Sequence, residues 1–317
     1  MNIKASVPNM RKFKKILITG SSGTIGTALF EALLERGYQV IGFDKRANQW
    51  SKKLNKLTIK GSLLNQKDIK KLPKDFDLII HLAANARVYN LIINPRLALE
   101  NIVSTYNILE FALKSHIKNF IFSSSREVYG NQKKNIFKEE DFNLYFSESP
   151  YSATKISSEA LIYAFAKCYK MNYLVFRFSN VYGKYDISDR FVPLLIRKMK
   201  RNKDIEIYSK NKDLVFTYID DCTDGIIKGI EKFPRVKNNT LNLASPKSYK
   251  LTKVAELLKK FLKSKSRIIV KPGRIGEVEK FRADISKAKK LLKYQPKHSL
   301  ENGLKLTINW YSKFVKN

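Results

Sequence analysis

The segment Ile16-Leu-Ile-Thr-Gly20-Ser-Ser-Gly23-Thr-Ile-Gly26 sets three glycines where a short apolar run gives way to a helical pattern. A strand turning at once into a helix through glycines lets a ligand approach the backbone closely, because no side chain stands in the way. The free N–H groups and positive dipole end of the following helix then favour an anion such as a pyrophosphate. The spacing is G-x-x-G-x-x-G, and a plain tight turn would use glycine in the same way. A second feature favours the dinucleotide reading. The next apolar run ends in Gly42-Phe43-Asp44, and an acidic side chain there can accept both ribose hydroxyls of NAD while repelling a 2′-phosphate. Lys45 and Arg46 follow directly and leave NADP open.

The rest of the first half repeats the same alternation. Apolar runs at 15–19, 39–43, 56–60, 78–81, 119–122 and 173–178 predict strands buried on both faces, and helical patterns at 24–36, 95–115 and 151–170 fill the gaps. The expectation is an α/β fold: a Rossmann-type doubly wound parallel sheet over residues 15–181, preceded by a basic leader at 1–14. From residue 182 to 317 the elements shorten, with helices near 191–200, 251–262, 285–292 and 300–314. This reads as a smaller, mainly substrate-binding lobe with chain crossings back to the first domain. A chain of 317 residues with 44% hydrophobic content can bury such a core without staples. Cys168 and Cys222 show neither a paired framework nor metal-ligand spacing, so no metal site is expected. No apolar run approaches the roughly 18 residues that span a bilayer, and a cytoplasmic protein without membrane contact is expected. The net charge of +33 is spread over scattered lysines rather than an arginine and aromatic stripe, so no specific nucleic-acid partner is expected.

Pro150-Tyr151-Ser-Ala-Thr-Lys155 opens the third helix with Tyr151 and Lys155 one turn apart on one face. A phenol with a pKa near ~10 is a poor base at neutral pH, and an adjacent ammonium favours the phenolate. Tyr151 could then take a proton from a sugar hydroxyl as hydride leaves the same carbon for NAD. Tyr-x-x-x-Lys on an amphipathic helix is by itself compatible with packing plus a solvated lysine. Here it follows a strand, Asn119-Phe-Ile-Phe122, that runs into Ser123-Ser-Ser125-Arg126-Glu127-Val-Tyr129-Gly130, where catalytic groups of such sheets belong.

These pieces resemble the extended short-chain dehydrogenase/reductase family of nucleotide-sugar epimerases and dehydratases over nearly the whole chain. Further matching segments are His81-Leu-Ala-Ala84, Asn101, Arg177-Phe-Ser-Asn180-Val-Tyr-Gly183, Phe216-Thr-Tyr-Ile-Asp-Asp221 and Ala283-Asp-Ile-Ser-Lys287. The resemblance implies a catalytic Ser125, Tyr151 and Lys155, with Ser125 bonding the reacting hydroxyl and Lys155 also holding the nicotinamide ribose. It implies NAD held by Gly20, Ser22, Gly23, Thr24, Ile25, Gly26, Asp44, Ser62, Leu63, Leu82, Ala83, Ala84, Asn101 and Ser123, together with Tyr151 and Lys155. On the substrate side it implies Arg87, Ser125, Arg126, Asn180 and Arg274, the last clamping nucleotide phosphates with a guanidinium fork. A homodimer pairing the helices at 95–115 and 151–170 is also implied, with Ile156, Leu161, Phe165 and Tyr169 compatible either with that interface or with the core.

Three departures from the family pattern bear on function. Leu214 and Val215 stand where many relatives carry Arg-Asp, which leaves Lys210 or Lys212 as replacement phosphate contacts. Ser62 stands where an Asp often meets adenine. Arg126 precedes Glu127 where the commonest dehydratases place an acidic Asp, and an arginine cannot donate a proton at neutral pH. The reading is therefore a nucleotide-sugar 4-epimerase, with a UDP-sugar as substrate and a 4-keto intermediate. A 4,6-dehydratase or decarboxylase using Glu127 is the alternative, and a non-catalytic NAD-sensing or RNA-binding protein a distant one. Glu127 could equally be an outward carboxylate paired with Arg126 or a lysine.

Overall fold

The computed structural model describes residues 13–134 and 136–315. The apolar runs form strands β1 (Lys15–Thr19), β2 (Gln39–Asp44), β3 (Thr58–Lys60), β4 (Leu78–His81), β5 (Asn119–Ser125) and β6 (Asn172–Phe178). Alternate side chains sort to opposite faces, as a pleated strand requires. Ile16 and Ile18 of β1 enter one core cluster with Leu78 and Ile80, whereas Leu17 enters the other with Ile79, Phe120 and Phe122. Helices Thr24–Glu35 and Ile219–Glu231 pack on the first face, and helices Arg96–Lys114 and Pro150–Tyr169 cover the second. Burying both faces this way is what makes continuous apolar strands stable.

After β6 the chain forms β7 (Asn180–Tyr182), β8 (Ile205–Tyr208) and β9 (Asp213–Tyr218), then returns to the main sheet as β10 (Asn239–Leu243). Strands β11 (Ser248–Lys250) and β12 (Ile268–Lys271) complete the set. The main sheet has seven strands, all parallel, in the order β10-β6-β5-β4-β1-β2-β3. The order reverses between β1 and β4, and the crevice at their carboxyl ends is where a doubly wound sheet binds its ligand. Strands β11-β9-β7 form a small sheet, and β12 pairs with β8. Residues 182–317 therefore supply the edge strand and one covering helix of the main sheet as well as most of the two small sheets.

Several boundaries shift. Phe13 and Lys14, assigned to the leader, belong to the fold: Phe13 is buried edge-on against Phe233, and the Lys14 N–H donates to Asp77. Leader residues 1–12 lie outside the described residues. The strand expected at 56–60 starts at Thr58, because the Ser51 hydroxyl accepts from the Leu54 N–H and starts a short helix, Lys52–Lys56. The third helix begins at Pro150, with Ser149 and Ser152 bonding reciprocally across its first turn.

The turn after β1 is held tightly. Gly20 has φ +72°, and a Cβ there would stand 2.6 Å from the Ala83 nitrogen. A Cβ on Gly26 would stand 2.1 Å from the Gly20 oxygen. We expect Gly20→Ala to destabilise the protein by about 1–3 kcal/mol through backbone strain alone, before the clash, as read by denaturant unfolding. A variant as stable as wild type would contradict this geometry.

Candidate active site

A cavity of about 680 Å³ runs from the Gly20 turn past Ser125, Tyr151 and Lys155 to Arg274. A second, of about 140 Å³, shares Gly20, Gly23 and Leu82 with it and reaches Asp44, Ser62, Leu63, Ala83 and Asn101. Glycines at the turn expose the backbone and the N-terminus of helix Thr24–Glu35 to the shared wall. Asp44, at the end of β2, is buried; one carboxylate oxygen accepts from the Ser22 N–H at 3.0 Å and the other from the Arg46 N–H at 2.9 Å. These contacts fix an acceptor on the rim of the turn. The glycine cradle and this carboxylate fit a dinucleotide whose ribose meets Asp44.

Thr24, Ile25, Ala84 and Ser123 also line the larger cavity. Asn101 accepts from the Asn85 N–H at 2.7 Å, tying the loop after β4 to helix Arg96–Lys114. Ser22 has its hydroxyl on the Arg46 carbonyl and is placed beside Asp44 rather than in either cavity lining. The Ser62 N–H donates to Asp68 at 3.0 Å, so a carboxylate reaches this corner from six residues further on.

At the reacting end, Lys155 is buried and its ammonium donates to the Ser123 carbonyl at 2.7 Å, with Nζ 4.8 Å from the Phe122 ring centre and 5.9 Å from that of Tyr151. Burial draws the Lys155 pKa down to about 7, and the Glu159 carboxylate opposes that shift. Burial pushes the Tyr151 phenol up to about 12, and the negative charge of Glu127 adds to the shift; Arg190, a hydrogen bond with Ser125, and Arg126 pull the other way. Burial thus favours a phenol facing a partly neutral amine near pH 7. A phenolate facing an ammonium holds the same number of protons and is reached by moving one of them.

Glu127 is buried, not outward. It forms an ion pair with Arg126 at 2.7 Å, both side chains lying within the fold, and its backbone N–H donates to the Ser125 hydroxyl at 3.2 Å. Burial raises its pKa, against the pull of Arg126 and Lys212. Arg126 also reaches Asn180 at 3.4 Å, and Asn180 is anchored by the Val215 carbonyl.

The far end carries Arg274 and Lys212, with Glu206 and Glu277 beside them; Glu277 approaches Arg274 at 4.0 Å. Arg274 lies 3.6 Å from the ring centre of Tyr208 and 4.4 Å from that of Tyr89, an aromatic sandwich that orients its guanidinium. Lys212 is buried and paired with Glu277 in the cavity wall, whereas Lys210 is exposed and absent from that lining. Arg87 pairs with Asp189 at 3.1 Å across the cavity mouth. Arg190, Tyr208 and Glu277 were not singled out in the sequence, although Arg190 immediately precedes helix Phe191–Lys200 and sits seven positions beyond the Val-Tyr-Gly183 segment.

A doubly wound sheet with a glycine cradle, a rim carboxylate and a Tyr-Lys helix beside a serine-bearing strand tip defines a nucleotide-cofactor oxidoreduction site. Comparison with known proteins specifies it further. The family model described as "NAD dependent epimerase/dehydratase family" matches residues 16–244, and the chain belongs to that family. It is an NAD-dependent enzyme. A UDP-glucuronate 4-epimerase of Thermodesulfobacterium geofontis is 30% identical, over 93% of this chain and 95% of that protein. The solved UDP-glucose 4-epimerase of Thermotoga maritima with UDP-glucose superposes with TM-score 0.88 at 30% identity, covering 95% of this chain and all of that one. A UDP-glucuronic acid 4-epimerase of Bacillus cereus, solved with UDP-glucuronic acid and NAD, gives 0.87 at 29% identity, covering 94% and 99%.

Because the Tyr151–Lys155 pair must lose one proton before Tyr151 can serve as a base, activity should rise with pH through a limb near 7. A rate independent of pH between 5.5 and 8.5 would contradict this assignment. Arg274→Ala should raise KM about 10–100-fold, the worth of one charge-assisted contact, and leave kcat within a few-fold.

Proposed function

We propose that this protein is a UDP-sugar 4-epimerase and that Ser125, Tyr151 and Lys155 carry its proton chemistry. Tyr151 removes the proton from the 4-hydroxyl while Ser125 bonds the same oxygen and Lys155 stabilises the phenolate. NAD, when bound, accepts the hydride from C4 and supplies it again. The 4-keto sugar turns over in the cavity, and Tyr151 returns the proton to the new epimer. Arg274 and Lys212 bind the diphosphate at the far end, in exchange for their contacts with Glu277, while Asn180, Arg126 and Arg87 line the path of the sugar. Gly20 to Gly26, Asp44, Ser62, Leu63 and the loop at 82–84 hold the cofactor.

The observation that carries the choice of epimerase over lyase is the Arg126–Glu127 ion pair. The commonest dehydratases place an acid at position 126 with a carboxylate beside it, and here arginine occupies the first position and binds the second. The second reading, elimination or decarboxylation with Glu127 as base, draws support from the raised pKa of Glu127 and its carboxylate oxygen without a hydrogen-bond partner. Burial of such a pair also makes loss of one partner costly.

A homodimer is part of the proposal. Leu99, Tyr106 and Tyr169 are exposed on the two adjacent helices Arg96–Lys114 and Pro150–Tyr169, and Phe165 packs against both tyrosines. Among the described residues no helix is long and apolar enough to cross a membrane. A cytoplasmic location and the lack of a specific nucleic-acid partner complete the reading, the scattered lysines serving as a solvated surface.

Incubation with UDP-, dTDP-, GDP- and CDP-sugars followed by product NMR should show interconversion of gluco and galacto isomers of a UDP-sugar without net redox change. Tyr151→Phe should reduce this by at least about 10²–10⁴-fold, the usual contribution of a general base. A stable 4-keto product or carbon dioxide release would favour the second reading, and full turnover by Tyr151→Phe would sink the mechanism.

A further inference from the structure

One turn beyond Lys155, the same helix face carries Glu159, a buried carboxylate that the mechanism above does not use. It has four donors. One oxygen takes the Ser124 hydroxyl at 2.5 Å and the Arg177 Nε at 3.0 Å; the other takes the Arg177 Nη2 at 2.7 Å and the Tyr163 hydroxyl at 2.9 Å. A guanidinium fork and two hydroxyls thus supply the hydrogen-bond partners that a buried carboxylate needs. Ser124 sits between Ser123, whose carbonyl takes the Lys155 ammonium, and Ser125, which bonds Tyr151. Arg177 lies on β6 and sends its remaining arm to the Tyr129 hydroxyl at 3.1 Å and the Glu139 carbonyl at 2.8 Å. Tyr129 in turn donates to Asn242 of β10 at 2.6 Å. One carboxylate thus joins the catalytic helix, the tip of β5 and the strand beside it.

We propose that Glu159 is a positioning residue for the Tyr151–Lys155 pair: it locks the serine-bearing tip of β5 in register with the catalytic helix and supplies the buried negative charge that sustains the Lys155 ammonium. The inference rests on Tyr151 and Lys155 being the proton-transfer pair, and holds whichever sugar is converted.

The charged surroundings of Lys155 leave Glu159 that task. Tyr151 and Glu159 face it from its own helix. From β4 comes His81, which burial holds neutral, with its pKa drawn down to about 3. Strand β5 contributes the Ser123 carbonyl and the Phe122 ring, and β6 contributes Arg177, bound to Glu159 itself. Helix Arg96–Lys114 presents the uncharged Asn101 and Thr105 to this helix, bonded to Thr154 and Ser158. Glu127 and Arg126, at the β5 tip, act on Tyr151 and pair with each other.

The test is competitive acetylation of Lys155 with acetic anhydride across pH, read by peptide mass spectrometry on the purified holoenzyme, beside the pH profile of kcat. Removing the negative charge makes the ammonium lose its proton more easily. Glu159→Gln should therefore move the Lys155 labelling midpoint and the acid limb of kcat to lower pH by about one unit. It should also lower the kcat plateau at least 10-fold, because less phenolate faces ammonium, with KM within about 3-fold. Tyr163→Phe, which removes one bond to Glu159 and keeps its charge, should leave the midpoint in place. If Arg177 left unpaired prevents folding, the double variant Glu159→Gln/Arg177→Met removes both charges and should still shift the midpoint downward, by less than the single variant, because Glu159 acts on Lys155 directly and loss of the Arg177 cation offsets only part of its effect. A folded single or double variant that labels Lys155 with the wild-type midpoint would overturn the proposal, as would a wild-type midpoint near that of an exposed lysine.

Discussion

Lys155 donates to the Ser123 carbonyl, Ser124 to Glu159, and Ser125 bonds Tyr151, so three consecutive residues at the end of β5 meet three side chains spaced four apart on helix Pro150–Tyr169. A strand alternates its side chains while a helix repeats every 3.6 residues, and only one register satisfies all three contacts. The capping box at Ser149 and Ser152 fixes where the helix starts, and Pro150 sets its first turn. The placement of Tyr151 and Lys155 in the cavity therefore follows from how this helix lies on this strand.

That register also explains the chemistry of the phenol. Burial alone would make Tyr151 a weaker acid and Lys155 a weaker base, opposing the phenolate–ammonium form. Cations at Arg190 and Arg126 and the Ser125 hydroxyl recover part of this for Tyr151, while Glu159 does so for Lys155. Arg126 meanwhile engages Glu127, whose charge opposes the phenolate, in a buried pair. Under the proposed function, this balance suits moving a single proton on and off one oxygen.

Much of this was legible along the chain because it is local. The glycine turn, Asp44 at the end of its strand, and Tyr151 with Lys155 one turn later each sit in a short segment whose spacing states its geometry. The return of β10 to the sheet and the burial of Phe13 against Phe233 depend on partners 65 or more residues away and on packing surfaces that no local pattern displays. The same holds for the Glu159–Arg177 pair, which exists because β6 lies beside β5. Glu127 shows the limit most clearly: a charged residue beside an arginine reads equally well as a solvated pair, and only the packing around the β5 tip, where Arg126 meets Phe281 and Asn180, makes it a buried one. The Glu159 spacing of four from Lys155 was available, yet its meaning required knowing which helix face meets the strand.

The central claim is that hydride leaves C4 of the sugar and returns to the same carbon within one enclosed site. A UDP-sugar substrate carrying deuterium at C4 tests it directly. Complete retention of the label at C4 in both epimers, followed by NMR in ordinary water to equilibrium, is the predicted result. Loss of deuterium to solvent, or its appearance at another carbon, would contradict the account.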